Sequence, residues 1–510
     1  MEGALRLSIV ILLNIISIAT ILFTIYLFTV VHSVMDYILV LLFAILVVIS
    51  TFFNTYSSTW YYKSYKYEKL FNDKFVHLMK PIRNFPTVAV AMPVYNEDPS
   101  MVERNVKELT KMKYPKSKIR FYMLDDSTDA KKAGEFRRIA KENNFFYIHR
   151  NERKGYKAGA LNNMLSYSRE EYIAIFDSDE RLANKNFLID TLPFMIEDKS
   201  VAYVQTEKRF DKGTFFSDSI DIFEAFFFKF VQAGRALNNT TIFAGSCGIL
   251  RRSAIDAVGG FPEYVLEDTF FSFESALHGF KNVYVPKCYA YGRPLKSFTA
   301  LAKQQWRYNY GGTQFISYYL AKDRSTLGLS SRIDYILHGA GLDYVSVFLI
   351  FFALVSIGIV FIVTPLPPLL LTNIGIIFSN PLYILEMMGI IAFVASFLLP
   401  VVIAGIYYGS YKKGFMASLL NYALAIVRTR AAIALLLNRE PGSQWTKQLS
   451  TKKRNIWNSL YAAKAEIGLA AFIWIFSYVA FLSRNIYGGV WLLGYGVLFS
   501  LAALFIKIYG

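Results

Sequence analysis

Tyr172-Ile173-Ala174-Ile175-Phe176-Asp177-Ser178-Asp179 is the stretch whose reading decides the fold. Five consecutive apolar residues have the length and character of a strand buried on both faces, and two carboxylates, two residues apart, stand directly at its end. Working outward, the same pattern recurs. Apolar runs at 87–92, 119–124 and 145–148 precede it, and another at 201–206 follows. The first passes into Pro93-Val94-Tyr95-Asn96-Glu97 and the second into Asp125-Asp126-Ser127-Thr128-Asp129. Helical segments of ordinary length separate the early runs, so the alternation predicts an α/β domain around a mainly parallel sheet. In open sheets of this kind ligands bind beyond the carboxyl ends of the strands, where these acidic residues stand.

On both sides of this domain the chain turns apolar. Runs at 7–30 and 37–53 precede it, and runs at 336–363, 382–407, 465–482 and 489–506 follow. Each approaches the length that crosses about 30 Å of hydrocarbon. The first is too long for a signal-peptide core and is followed at once by the second, which predicts an uncleaved span. Lys63, Lys66, Lys69, Lys74, Lys80 and Arg83 lead into the polar domain, and the positive-inside rule puts that domain in the cytoplasm. The connection 364–381 carries no charge, as expected of a short external or membrane-dipping loop.

The segment 415–437 is apolar enough to span, yet Lys412 and Lys413 precede it and Arg439, Lys447, Lys452, Lys453 and Arg454 follow. Arg428 and Arg430 lie within it. A charge at mid-bilayer costs roughly 2.5–3.5 kcal/mol on insertion scales, so an interfacial or re-entrant helix is expected there. The expected organisation is about six spans plus interfacial helices, with both termini inside. Residues 1–55 hold two spans, 56–85 form a basic cytoplasmic connector, 86–318 form the cytoplasmic α/β domain with an interface helix, and 319–510 hold about four spans.

The composition agrees. Of 510 residues 54% are hydrophobic, too many for a wholly soluble enzyme, and the net charge is +17. The basic excess suits anionic headgroups of membrane lipids and a phosphorylated ligand. Nucleic acid is not expected as a partner, because no nucleic-acid motif accompanies the charge. Two cysteines, Cys247 and Cys288, imply a reducing compartment and no disulfide framework.

Asp177 and Asp179 in a strand-end turn can both approach a hard divalent cation that clamps two phosphates, although the same carboxylates would equally cap a following helix. Asp125 and Asp126 offer carboxylates to a nucleoside base or ribose, or simply form a polar turn. Lys154-Gly155-Tyr156-Lys157-Ala158-Gly159 sets cations and small residues at a helix start, where phosphate is favoured. Glu267-Asp268 follows the turn Gly259-Gly260-Phe261-Pro262 and opens an apolar helical run. An Asp there can act as a general base or as a cap. Gln304-Gln305-Trp306-Arg307-Tyr308 precedes the third span on an aromatic-rich helix, with an Arg suited to a departing diphosphate and flat faces suited to sugars.

In this order the motifs resemble the membrane-embedded inverting glycosyltransferases of family two, the group of cellulose, chitin, hyaluronan and mannan synthases. That group shows successive Asp motifs, a Glu-Asp pair and a Gln-x-x-Arg-Trp signature. They correspond here to Asp125-Asp126, Asp177-Ser178-Asp179, Glu267-Asp268 and Gln304-x-x-Arg307-Tyr308. The wording of 124–129 and 155–161 is similar to the glucomannan and mannan synthase branch. Phe243-Ala244-Gly245-Ser246-Cys247 with Arg251-Arg252 resembles the family's acceptor-side loop, and Trp445-Thr446-Lys447 falls where processive members carry a gating loop. The resemblance implies a GT-A-type α/β domain inserted between transmembrane helices. It implies that Asn96, Glu97, Asp125, Asp126, Lys157 and Asp177 bind a nucleotide-sugar donor, a UDP-sugar or GDP-mannose. It gives Asp177 and Asp179 to Mg²⁺ or Mn²⁺, makes Asp268 the catalytic base, and assigns Glu267, Gln304, Gln305, Trp306, Arg307 and Tyr308 to the acceptor and diphosphate. Tyr308 stands where the signature has Trp, and either Tyr308 or Trp306 can stack on a sugar.

The function expected is a plasma-membrane β-glycosyltransferase that extends a polysaccharide and extrudes it. A non-processive enzyme glycosylating a lipid acceptor shares every motif. A transporter with a nucleotide-binding domain is disfavoured, because no Walker-type Gly-x-x-x-x-Gly-Lys-Ser/Thr is present.

Overall fold

Val88, Val90 and Met92 point to one side of strand β1 (Val88–Val94) and Ala89 and Ala91 to the other, and all five are fully buried. This is the signature of a strand covered on both faces, and two apolar clusters sandwich the sheet accordingly. The computed structural model describes residues 2–78, 82–362, 394, 397–438 and 455–510. The other strands are β2 (Ile119–Asp125), β3 (Phe145–His149), β4 (Tyr172–Ile175), β5 (Arg181–Leu182), β6 (Val201–Phe210), β7 (Gly248–Arg251) and β8 (Lys281–Gly292). They form one eight-stranded sheet in the order β3-β2-β1-β4-β7-β6-β8-β5.

All five expected strands are present, but the sheet is mixed rather than mainly parallel. β3, β2, β1 and β4 run parallel. Then β7 inserts antiparallel between β4 and β6, while β8 runs parallel to β6 and β5 antiparallel to β8. β7 is only four residues long and follows a polar loop, so it carries no period that a sequence reading can register. Asp98 and Asp129 cap the helices Pro99–Leu109 and Ala130–Glu142, accepting from the backbone N–H groups of Ser100 and of Lys131 and Lys132.

Among the described residues five helices are long and apolar enough to cross a membrane, covering Glu2–Thr29, Val34–Asp73, Tyr411–Leu436, Lys464–Leu482 and Ile486–Tyr509. The third expected span, 336–363, falls in the helix Leu329–Ile362 apart from Val363, which lies outside the described residues. The loop 364–381, most of residues 382–396 and the segment 439–454 with Trp445, Thr446 and Lys447 lie outside the described residues.

The second span and most of the basic connector are one 45-residue helix, Val34–Leu78. Its far half docks both the helix Leu329–Ile362, where Trp60 donates from Nε1 to Asp334 at 3.0 Å, and the sheet, where the Tyr67 hydroxyl donates to the Tyr284 carbonyl at 2.5 Å. The segment 415–437 falls in two helices, Tyr411–Ala423 and Ala425–Leu436, with a break at Leu424. Arg428 within it is fully buried and donates to Gln305 and Asn421. Arg428 therefore meets protein rather than lipid, which takes it out of the argument against a span, whereas the flanking charges keep their weight.

Candidate active site

The parallel register sets the site. Val94 pairs with Asp125, and Ala91 with Ile175, so the carboxyl ends of β1, β2 and β4 open on the same side. Asp177 emerges just past β4. Its carboxylate takes the ammonium of Lys157, which also donates to the Gly245 carbonyl at 2.9 Å. Lys157 stands in the first turn of the helix Tyr156–Tyr167, entered through Gly155 at φ +70°. Behind Asp177, Glu180 accepts from the Asp177 backbone N–H at 2.9 Å and from the Ser246 hydroxyl at 2.6 Å. Lys208 lies 3.1 Å from Glu180 and 3.9 Å from Asp177, and donates to the Ser246 hydroxyl at 2.6 Å.

These contacts set the charge states. Burial disfavours charge on Asp177, but Lys157 and Lys208 together outweigh it and hold the carboxyl well below its ordinary value. Lys208 is held well above its usual value: burial works against its charge, and Glu180 and Asp177 more than offset it. Asp179 opens into the cavity. The crowded floor, and then the Asp177 and Glu180 carboxylates, push it up to about 7.

Asp268 begins the helix Glu267–Leu277 and faces this floor. Its Oδ1 accepts from the Thr269 backbone N–H at 2.7 Å, and its Oδ2 is turned toward Gly245. Gly245 has φ +79°, and a Cβ there would sit 3.0 Å from Asp268 Oδ2 and 3.6 Å from Lys157 Nζ. A glycine thus keeps open the gap between carboxylate and ammonium, and supplies the left-handed turn that lets its carbonyl reach Lys157. Burial raises Asp268, and burial followed by the Asp268 charge raises Glu267 to about 7.

The signature residues ride on the helix Phe298–Ala321. Gln304, Gln305, Arg307 and Tyr308 line the cavity. Trp306 turns away and is buried in an apolar cluster with Phe298, Leu420, Val427 and Phe505. Of the two signature rings the one at the cavity is therefore Tyr308, whose hydroxyl is pushed up to about 12 by burial and then by Glu224.

The donor-edge residues are tied to one another. Asp125 is 1% exposed; its carboxylate accepts from the Ser127 backbone N–H at 2.8 Å and the Tyr147 hydroxyl at 2.5 Å, and His149 Nδ1 lies 3.3 Å away. Asp126 takes Arg150 through both oxygens, with Nε at 2.7 Å. Asn96, at φ 56°, joins the β1 and β2 loops by accepting from the Asp129 backbone N–H and donating to Thr128, and Glu97 accepts from the Tyr95 backbone N–H. At this edge the Arg153 guanidinium lies 3.5 Å from the centre of the Tyr95 ring. The four residues Asn96, Glu97, Asp125 and Asp126 gather at the carboxyl ends of β1 and β2 but do not border the cavity that Gln304 and Tyr308 line.

That cavity has a volume of about 670 Å³. Asp177, Asp179 and Asp268 border it at one end, and it reaches between the apolar helices to Trp60, Leu337, Pro400, Ala417 and Asn421. The sequence reading missed Glu180, Lys208, Glu224, Gly245 and Ser246 as individual site members. Glu180 and Lys208 follow no spacing rule: one adjoins a recognised motif, and the other lies on β6 beyond the apolar run. Only their convergence on Ser246 marks them.

The comparisons with known proteins fit this geometry. Residues 89–259 match the family described as Glycosyl transferase family 2. A cellulose synthase catalytic subunit (UDP-forming) of Pseudomonas fluorescens (strain SBW25) is 32% identical over 237 residues, 45% of this chain and 31% of that protein. A probable glucomannan 4-beta-mannosyltransferase 7 of Oryza sativa subsp. japonica is 33% identical over 260 residues, 48% of this chain and 44% of its own length. The chain thus spans less than half the length of either of these relatives. Among solved structures, a mannosyltransferase of Pyrobaculum calidifontis in complex with GDP-Man and Mn²⁺ aligns with TM-score 0.48 and 17% identity, covering 76% of this chain and 99% of that one. The α/β domain that carries Asp125, Asp177 and Gly245 is a glycosyltransferase family 2 domain of GT-A type, set among helices long and apolar enough to cross a membrane.

Proposed function

We propose that the protein is a membrane-bound, nucleotide-sugar-dependent β-glycosyltransferase that inverts the donor's anomeric centre, extends a polysaccharide and passes the chain between its helices. The observation that carries this reading is a continuous cavity joining the Asp177–Asp268 floor to the walls of the apolar helices.

In the transfer step Asp268 Oδ2 accepts the proton of an acceptor hydroxyl. The hydroxyl oxygen forms a bond to the donor's anomeric carbon from the face opposite the diphosphate, the carbon–oxygen bond to the diphosphate breaks, and the nucleoside diphosphate departs with the electron pair. Lys157, Lys208 and Arg307 supply fixed positive charge around the departing phosphates. Burial raises the affinity of Asp268 for a proton, which suits a base.

A divalent cation, Mg²⁺ or Mn²⁺, fits the chemistry of Asp177 and Asp179. Both offer hard carboxylate oxygens, and Asp179 is raised by burial and then by the Asp177 and Glu180 charges, the part that a cation would relieve. When bound, it offsets charge on the diphosphate. Asp125, Asp126, Asn96 and Glu97 shape the nucleotide edge, where the exposed Arg153 lies against the Tyr95 ring. The donor is a UDP-sugar or GDP-mannose, the acceptor is a glycan terminus near Gln304 and Tyr308, and the domain faces the cytoplasm from the plasma membrane, in keeping with Lys63, Lys66 and Lys69. A single transfer to a lipid acceptor uses the same residues; the polar groups of Asn421 and Ser418 along the helix wall favour a passing glycan. Purified protein incubated separately with radiolabelled UDP-glucose, UDP-N-acetylglucosamine and GDP-mannose is expected to convert one of them to a long polymer. A lipid-sized product would replace polymerisation by single transfer, and no product from any donor would remove the reading.

A further inference from the structure

One wall of the cavity holds a buried cation that the transfer step does not use. Arg235 follows a π-helical turn, Phe227–Gln232, and is fully buried. Its Nε, Nη1 and Nη2 have no hydrogen-bond partner among the described residues, although it borders the cavity. π-helical turns recur at functional sites, and here the turn contributes Phe227, Phe228 and Val231 to the same wall.

The nearby anion does not satisfy Arg235. Asp334 is fully buried, yet its carboxylate is occupied by Trp60 Nε1 at 3.0 Å, Asn238 Nδ2 at 2.7 Å and the Thr240 hydroxyl at 2.7 Å. No ion pair joins the two side chains among the described residues, so Asp334 balances the charge of Arg235 without accepting its hydrogen bonds. A guanidinium offers five N–H donors in a planar fork, and leaving them buried without acceptors is costly. His338 lies on the same wall, its Nε2 3.2 Å from the Thr269 hydroxyl, one residue from Asp268.

We infer that Arg235, beside Trp60 and His338, binds a neutral sugar unit of the acceptor chain by donating to its hydroxyl and ring oxygens. The inference rests on the polymerising reading above. It assigns a neutral sugar rather than an acidic one because Asp334 already balances the guanidinium. Arg235 touches neither the donor nor the reacting atoms in this account; it holds the acceptor in register for Asp268.

The test compares the wild type with Arg235→Gln and with the double variant Arg235→Gln/Asp334→Asn, all as full-length protein in detergent. The probes are cellotetraose and mannotetraose with the donor that the wild type turns over. The expected result is an acceptor KM raised about 10-fold or more, with kcat at saturating acceptor and acceptor-independent donor hydrolysis unchanged, since only hydrogen bonds to the acceptor are lost. An unchanged acceptor KM in a folded variant overturns the site. If the single variant does not fold, the double variant decides, because it removes both buried charges together. Stronger inhibition by tetragalacturonate than by the neutral tetrasaccharides overturns the neutral assignment. A wild type that turns over none of the three donors removes both this inference and the function on which it rests, whereas normal transfer with indifferent Arg235 variants removes the site alone.

Discussion

Arg428 donates from Nε to Gln305 Oε1 at 3.0 Å, with both side chains buried. A second donor, Nη1, reaches Asn421 at 3.1 Å. One guanidinium therefore ties the broken helix pair 411–436 to the signature helix at the residue beside Gln304. Replacing Arg428 by Met is expected to leave the buried Gln305 amide oxygen without this donor, at about 1–3 kcal/mol, to free the half-buried Asn421, and to lower the melting temperature in detergent. Lys at the same position should recover only part of this, because an ammonium lacks the planar fork. A Met variant that melts with the wild type would dismiss the tie.

Removal of Asp179 addresses the cation. Asp179→Ala is expected to abolish transfer, and an excess of chelator should silence the wild type until Mg²⁺ or Mn²⁺ is restored. Full turnover in excess chelator would exclude a divalent ion from the reaction.

Asp268→Asn separates chemistry from capping. The shape is retained and proton acceptance is lost, so transfer should fall by roughly 10²–10⁴-fold while donor affinity holds. Were Asp268 only a helix cap, Asn would serve equally and the rate would barely change. Donor affinity and transfer rate measured on one preparation distinguish the two, and near-normal transfer would pass the role to Glu267.

The Glu267–Asp268 pair predicts a pH profile. Burial raises both groups, so on the acid side Asp268 is protonated and cannot act, and transfer should rise with pH as it ionises. Asp268 ionises first and its charge raises Glu267, so Glu267 is still protonated while Asp268 takes up its charge. Glu267→Gln is therefore expected to leave the acid limb of the rate profile in place. A limb that moves to lower pH would show that a Glu267 charge reaches Asp268.

Lys412 and Lys413 before residues 415–437, and Lys452, Lys453 and Arg454 after them, predict that both flanks lie on the same side of the membrane. A cysteine at Ser443 should react with an impermeant thiol reagent only from the cytoplasmic side. Reaction from outside would establish a crossing and change the span count.

Much of the site was legible because its residues sit at strand ends, where an apolar run stops at a carboxylate. Asp125 and Asp177 could be placed in this way, and Asp268 as the opening of an apolar helical run after a glycine turn. Trp306 shows the limit. Its neighbours Gln305 and Arg307 border the cavity while its own ring packs against Phe298 and Phe505, and only the rotation of the helix against its membrane neighbours assigns those faces.

The sequence by itself determined the α/β domain, its five early strands, the acidic strand ends and the apolar flanks, because each is a local pattern of period, length and charge. The tertiary structure decided the mixed sheet, the burial of Arg428 and the meeting of Glu180, Lys208, Gly245 and Ser246 around Asp177. Those depend on pairings between residues tens to hundreds of positions apart. Hydrogen bonds and buried charges are satisfied by whichever group the fold brings near, and spacing along the chain does not record that partner.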